Sequence, residues 1–314
     1  MTDISSALGP VSSGTLQPHY IHANGLEFAY LEALPEGDIS HEAPLVLCLH
    51  GFPDTAWSFS DLLPRLAAAG YRAIALFMRG YAPSALAGNG QYAAVDLGRD
   101  VVALFEHFGV ARGYIVGHDW GGVAAYAAAA MRPDRVAGIV VAGVPHPRRL
   151  LLRPARQQMK ASHYIFGFQM PKLPERRMAR DDFAWLRALV HSWSPQWEIE
   201  PAYWQQVTTA FATVARRRAA LAYYRDLPKA LFRGDTWRFM MRPVQVPARV
   251  VCGAEDRCML PDSFARQAHL FAGGYELVQL PGAGHFMHLE APDAFAREVL
   301  SGLRQAAASA ERRA

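Results

Sequence analysis

The sequence predicts an α/β domain: a mostly parallel sheet flanked by helices on both faces, with a helical insertion in its second half. Three observations carry this reading. Short apolar runs of strand length alternate with helical runs from Tyr20 to Gly143, and again from Arg249 toward the C-terminus. Most of the strand-like runs are apolar throughout, as strands buried on both faces are. Between the two stretches, residues 145–243 keep helical spacing, are rich in Arg, Trp and Tyr, and hold no convincing strand.

In chain order, residues 1–19 are rich in Ser, Gly and Pro and read as a flexible tail. Tyr20–Glu32 alternates around Asn24-Gly25, a hairpin turn between two strands. Leu45–His50 is a buried strand running into Gly-Phe-Pro. Phe59–Ala69 has helical spacing and stops at Gly70; Ala73–Phe77 is the next strand. Asp96–Phe108 is an amphipathic helix ended by Gly109. Tyr114–Gly117 is a strand, followed at once by an Ala-rich helix over Trp120–Met131 and a strand over Val136–Gly143. After the insertion come a strand at Arg249–Cys252, a helix near Ser263–Phe271, a strand at Glu276–Leu280 and a helix from Pro292. The Ala/Arg-rich end from Gln305 is expected to fray. The resulting division is a core of residues 20–144 and 244–314 around a helical unit of residues 145–243.

Composition narrows the function classes. Of 314 residues, 51% are hydrophobic and 19% charged, which supports a large core and excludes global disorder. A net charge of +4 is a weak excess, with no dense basic run of the kind that tracks phosphates, so no nucleic-acid partner is expected. Three cysteines, Cys48, Cys252 and Cys258, make neither a disulfide framework nor a zinc spacing. There is no signal-peptide pattern and no apolar run of membrane-spanning length, so the expectation is a cytoplasmic protein without a membrane partner.

Four motifs carry chemistry. Gly117-His118-Asp119-Trp120-Gly121-Gly122 lies between a strand and a helix, and resembles the nucleophile elbow of α/β-hydrolases with Asp in place of Ser. The alternative is an Asp that merely caps the next helix, which would not require Gly on both sides. His50-Gly51-Phe52-Pro53 follows a strand, and its loop can aim the Phe52 N–H at the reacting centre; with the Trp120 N–H that makes an oxyanion hole, against the alternative of an ordinary strand-to-helix turn. Gly284-His285-Phe286 follows another strand and offers His285 as base, with His288 its nearest rival. Asp256, just after the Arg249–Cys252 strand, would orient that His, with Glu255 and Asp262 as rivals.

Taken together, these residues resemble the epoxide hydrolase branch of the α/β-hydrolases over nearly all of residues 20–304. Arg79-Gly80-Tyr81 adds to the likeness, as do two insertion segments. Tyr164-Ile165-Phe166-Gly167-Phe168-Gln169-Met170-Pro171 and Ala222-Tyr223-Tyr224-Arg225-Asp226 resemble the cap segments that carry the two epoxide-binding tyrosines. The resemblance implies an α/β-hydrolase fold with a helical cap, Asp119 as nucleophile, His285 and Asp256 as base and orienter, and Tyr164 and Tyr224 as cap acids. Tyr223 replaces Tyr224 if the register slips by one, and each tyrosine has the alternative of a packed cap residue. It further implies His50, Pro53, Phe168 and Phe286 as substrate contacts, and neither metal nor organic cofactor. Gly167 stands where relatives often carry a bulky aromatic, and Phe286 where Trp is also common.

The expected reaction is hydrolysis of a small lipophilic epoxide to a vicinal diol through an ester on Asp119, because a carboxylate attacking sp³ carbon gives an ester that water can cleave. Haloalkane dehalogenase is the alternative; it needs N–H donors for halide, which Trp120 supplies and Phe52 does not, unless one of Trp185, Trp193, Trp197, Trp204 or Trp237 does. A non-catalytic ligand-binding protein on the same scaffold is the third reading. A homodimer through the cap or sheet edge is compatible with all three.

Overall fold

The computed structural model describes residues 16–37, 42–152, 154–230 and 232–312. Eight strands form one sheet in the order β1-β2-β4-β3-β5-β6-β7-β8. They are β1 His19–Ala23, β2 Leu26–Ala33, β3 Leu45–Leu49, β4 Arg72–Leu76, β5 Gly113–His118, β6 Val136–Ala142, β7 Ala248–Gly253 and β8 Tyr275–Leu280. The β1–β2 hairpin turns at Asn24 and Gly25, both at positive φ, as a two-residue turn between right-twisted strands requires. β2 runs antiparallel to β4, and every later pairing is parallel. Strands β3 to β7 are buried along their whole length, which explains their unbroken apolar sequences.

Alternate strand residues feed two cores. Leu47, Ile74, Ile115, Val141 and Val250 pack with Leu97, Val101, Ala124 and Ala127 of helices α2 (Ala94–His107) and α3 (Trp120–Met131). Val46, Ala75, Val116, Val140 and Val251 pack on the other face with Leu63, Leu66, Val299 and Leu303 of α1 (Leu62–Ala68) and α13 (Pro292–Glu311). Between β6 and β7 the chain makes only helices among the described residues. They are α4 Pro147–Leu152, α5 Arg156–Ala161, α6 Tyr164–Phe168, α7 Leu173–Ala179, α8 Ala184–Trp193, α9 Pro201–Ala210, α10 Val214–Ala230 and α11 Gly234–Met241; α12, Met287–Glu290, follows β8.

The fold differs from the sequence reading in four places. The helix expected over Phe59–Ala69 splits into a 3₁₀ turn, Ala56–Phe59, and α1. In one continuous helix the Pro64 ring would clash with the carbonyl of Ser60, whereas within a first turn proline is tolerated. The helix expected near Ser263–Phe271 is instead two 3₁₀ turns separated by Arg266 at φ 58°. Side-chain hydrogen bonds outweigh helix propensity here: Ser263 donates to Gln158, and Gln267 bridges the His146 N–H and the Tyr275 hydroxyl. The C-terminal end does not fray at Gln305, because Gln305 bonds Arg249 and Glu276 and Ala306 is buried against the sheet. Of the expected N-terminal tail, residues 1–15 lie outside the described residues, and His19 already belongs to β1.

A buried ion pair fixes the C-terminal end of β4. Arg79 binds Asp100 of α2 through two nitrogens, at 2.6 and 2.5 Å, and donates to the Gln91 carbonyl. Asp100 also accepts from Asn24 of the hairpin turn, and the Arg79 carbonyl accepts from Tyr223 of α10. Removing one partner of such a pair leaves an uncompensated buried charge. Asp100→Ala is therefore expected to lower unfolding stability by about 3–5 kcal/mol, read from urea denaturation.

Candidate active site

The turn between β5 and α3 places Asp119 at φ 50°, ψ −115°, a conformation that costs a non-glycine residue about 1–3 kcal/mol. Its neighbours make room for it. A Cβ on Gly121 would lie 2.0 Å from the Leu49 carbonyl oxygen, and one on Gly51 would lie 2.4 Å from the Asp119 Cβ, so both positions exclude any side chain. The strained turn lifts the carboxylate to the C-terminal end of the parallel strands, at the N-terminus of α3, where the helix dipole favours an anion.

Two backbone N–H groups meet that carboxylate. Phe52 N–H donates to Asp119 Oδ1 at 2.9 Å, and the Trp120 N–H also hydrogen-bonds the carboxyl. Burial raises the Asp119 pKa; His285 and the two N–H groups oppose that rise.

On the other side, His285 Nε2 lies 3.8 Å from Asp119 Oδ2 and has no hydrogen-bond partner by geometry, while His285 Nδ1 is 2.9 Å from Asp256 Oδ2. The second Asp256 oxygen accepts the N–H groups of Cys258 and Met259, both at 2.8 Å. Burial alone would lower the His285 pKa, but the Asp256 carboxylate beside Nδ1 raises it above the ordinary imidazole value. Of the rivals, His288 pairs with Asp54 at 3.2 Å instead.

The insertion lays two phenols over the elbow. Tyr164 Oη lies 3.5 Å from Cys258 Sγ. The Tyr224 ring packs edge-on against Trp120, Phe52 and Phe168, and its buried hydroxyl has no partner within hydrogen-bond geometry among the described residues. Burial, reinforced by the Asp119 charge, pushes both phenols well above their ordinary pKa, so both keep their protons as donors. Tyr223 is turned elsewhere: its hydroxyl donates to the Arg79 carbonyl at 2.8 Å.

Asp119, Trp120, Tyr164 and Tyr224 line one end of a cavity of about 470 Å³ whose walls include Val123, Leu150, Leu151, Ile165 and Met240. The four expected substrate contacts do not line it. His50 spends both ring nitrogens on backbone, facing the Gly51 carbonyl and accepting the Met78 N–H. The Pro53 carbonyl faces the Tyr203 hydroxyl, and Phe168 and Phe286 are fully buried in aromatic packing behind the tyrosines and His285. These residues shape the loops that carry the site.

Residues 44–292 match the family model described as alpha/beta hydrolase fold. The chain belongs to the alpha/beta hydrolase fold family. It is 26% identical to the AB hydrolase superfamily protein YfhM of Bacillus subtilis, over 91% of this chain and 97% of that one. It is 28% identical to epoxide hydrolase A of Mycobacterium tuberculosis, over 90% and 97%. The crystal structure of epoxide hydrolase A from Mycobacterium thermoresistibile superposes with a TM-score of 0.75 at 25% identity, covering 92% of this chain and 98% of that one.

For a member of this family, several supporting residues escaped the sequence reading. Asp54, one residue beyond the oxyanion loop, accepts from Thr55 N–H, from Tyr203 of α9 and from His288. With His118 it forms a buried trio whose ligand atoms lie within 4.8 Å of one another. Those groups are already committed, since His118 Nε2 donates to the His285 carbonyl and Asp54 holds three donors, so a metal would have to displace them. Ser194 of the insertion accepts the His285 N–H at 2.8 Å and donates to Glu290, which also receives the Gly284 N–H. Cys258 adjoins both His285 and Tyr164, and burial keeps it a thiol. Only their closeness in sequence to Pro53 and Asp256 could have pointed to Asp54 and Cys258.

The histidines near the nucleophile should separate on titration. Burial, with His288 and His285 nearby, holds the His118 pKa well below its ordinary value. His118 is expected to titrate below the usual imidazole range, and His285 above it. Asp256→Asn removes a group that raises His285 and should shift its titration to lower pH. Side-chain ¹⁵N NMR of the histidines reads all three outcomes.

Proposed function

We propose that this protein is a cytoplasmic epoxide hydrolase that converts a lipophilic epoxide and water to a vicinal diol. The observation that carries this reading is the Asp119 carboxylate itself. One oxygen is bound by the Phe52 N–H, the other faces His285, and two protonated tyrosines stand over it. The epoxide hydrolases among its relatives support the substrate class. Three free, buried cysteines fit a reducing compartment.

The geometry supports the following course for the atoms. Oδ1, held by N–H groups, becomes the carbonyl oxygen of the ester. Oδ2 attacks an epoxide carbon, the ring C–O bond breaks, and the departing alkoxide takes a proton from Tyr164 or Tyr224. Water then loses a proton to His285 Nε2 and adds to Asp119 Cγ, and negative charge collects on Oδ1 beneath the Phe52 and Trp120 N–H groups. Collapse breaks the bond between Cγ and the ester oxygen. Oδ2 leaves in the diol, which takes the proton held by His285; the water oxygen stays in Asp119, and its remaining proton passes from the Asp119 carboxyl to the tyrosinate, restoring both groups.

The dehalogenase alternative receives less support. None of Trp185, Trp193, Trp197, Trp204 and Trp237 lines the cavity to supply a second halide donor.

Wild type is expected to form diol from a panel of aryl and alkyl epoxides, and Asp119→Ala to form none. His285→Gln should accumulate an ester, seen by mass spectrometry as a substrate adduct on the Asp119 peptide. A single turnover in H₂¹⁸O should label Asp119 and leave the diol unlabelled; label in the diol would contradict attack at Cγ. Halide release without diol formation would favour the dehalogenase.

Loss of one proton donor should slow ring opening. Tyr164→Phe and Tyr224→Phe are each expected to lower the alkylation rate about 10²–10⁴-fold, measured by single-turnover kinetics, with less effect on ester hydrolysis. Tyr223→Phe should leave the alkylation rate near wild type.

A further inference from the structure

The wall of the cavity over Asp119 is largely apolar, so each polar group in it calls for a partner. Asp119, Tyr164 and Tyr224 are the reacting groups. Four others are held inside the protein. Gln158 accepts the Leu260 N–H and the Ser263 hydroxyl, and donates to the Cys258 carbonyl and the Ser162 hydroxyl. Tyr223 donates to the Arg79 carbonyl. Asp226 accepts the Tyr92 N–H at 3.2 Å and pairs with Lys229 at 2.8 Å.

Thr236 is different. It lines the cavity from the first turn of α11, it is 2% exposed, and its hydroxyl has no hydrogen-bond partner. A threonine in a helix commonly turns its hydroxyl back to a carbonyl one turn earlier. This one does not, although the turn that carries it is anchored. The Thr236 N–H donates to Asp235 at 2.8 Å, and Asp235 pairs with Arg233 at 2.9 Å and with Arg99 of α2 at 3.2 Å. A buried hydroxyl left unpaired costs stability that valine, of nearly the same shape, would not. Its place in the wall of a substrate cavity supplies a reason: the missing partner belongs to the ligand.

The wall also limits what that partner is. Among the described residues no Lys, Arg or His lines the cavity, while Asp119 and Asp226 do. An anionic group would enter beside carboxylates without a cation to receive it, and a cationic one would be drawn to them rather than to a hydroxyl. The partner is therefore uncharged. A volume of about 470 Å³ has room for a ligand that reaches both the reacting groups and Thr236.

We propose that Thr236 is a substrate-binding residue whose hydroxyl meets an uncharged oxygen function, such as a hydroxyl, carried by the epoxide on an apolar chain away from the ring. The substrate class narrows from a lipophilic epoxide to a lipophilic hydroxy-epoxide. The epoxide half of that statement rests on the proposed function, and the second polar group rests on Thr236.

The test uses 1,2-epoxyalkanes of graded chain length, each with a terminal hydroxyl and beside its unsubstituted counterpart, on wild type, Thr236→Val and Thr236→Ser. Comparing the ratio within each pair between proteins cancels the extra hydration of the hydroxyl. At one chain length Thr236→Val is expected to lower kcat/KM for the hydroxylated member about 2–10-fold, mainly through KM, and to leave its counterpart unchanged. Thr236→Ser should keep the wild-type ratio, and both variants should keep the wild-type melting temperature. Equal effects of Thr236→Val on both members at every length, or no effect on either, would overturn the proposal. Calorimetric binding of the same pairs to Asp119→Ala and to Asp119→Ala/Thr236→Val reads the contact without turnover. A Thr236-dependent preference in binding, in a chain whose wild type turns over no epoxide, supports the contact and removes the epoxide reading. Turnover without that preference removes the contact alone.

Discussion

A buried carboxylate that has to stay charged is the constraint on which the rest of this molecule depends. Taking the Asp119 side chain out of water disfavours its ionised form, and its pKa is raised accordingly. Everything that opposes that rise sits within the first turn of α3 and two loops: the Phe52 and Trp120 N–H groups, the helix N-terminus, and His285. Those groups can converge only if the chain turns sharply at Asp119 and the Gly51 loop closes on it. The backbone strain at Asp119 and the side-chain exclusion at Gly51 and Gly121 are thus parts of one electrostatic solution.

The helical insertion is tied to the same loops. Tyr203 of α9 holds Asp54 beside the oxyanion turn, Ser194 after α8 holds the His285 N–H, and Tyr223 of α10 holds the Arg79 carbonyl. Gln158 of α5 bonds Cys258, Leu260 and Ser263 in the segment that follows Asp256. The Phe52–Asp54 loop, the His285 loop and the segment after Asp256 therefore each carry at least one hydrogen bond from the insertion. An insertion joined this way holds those loops in place, since displacing it would leave buried donors and acceptors unpaired.

Much of this was legible in the sequence, and the exceptions have a common cause. The apolar strands, the Asn24-Gly25 turn and the Gly-flanked Asp119 are local signals, set by backbone sterics and by burial on both faces of a sheet. What the sequence hid depends on partners far along the chain. Ser263–Phe271 has helical spacing but gives its polar groups to Gln158, His146 and Tyr275. Phe168 and Phe286 read as pocket walls because they flank reactive residues, yet both point into aromatic packing. Tyr223 and Tyr224 are adjacent and chemically alike; only the helical turn between them directs one hydroxyl to Arg79 and leaves the other without a partner. Asp54 and Cys258 carried no pattern at all, since their roles exist only once β3, β7 and the insertion meet.

In the reaction we propose, the placement of the two N–H donors divides the work between the half-reactions. The Phe52 N–H binds Oδ1 and the Trp120 N–H binds the same carboxyl group before any substrate arrives, so they stabilise the resting anion and do little to drive the attack by Oδ2. Ring opening must then draw on epoxide strain and on Tyr164 and Tyr224, whose raised pKa values keep them protonated until an alkoxide forms. In the second half-reaction the balance reverses. Oδ1 passes from a carbonyl oxygen to a full oxyanion, and the same N–H groups, already in place and shielded from water, strengthen as the charge grows. His285, held by Asp256 and standing 3.8 Å from Oδ2, has no direct role in the attack by Asp119. The tyrosines thus serve the making of the ester, and the elbow, the oxyanion loop and the histidine serve its breaking.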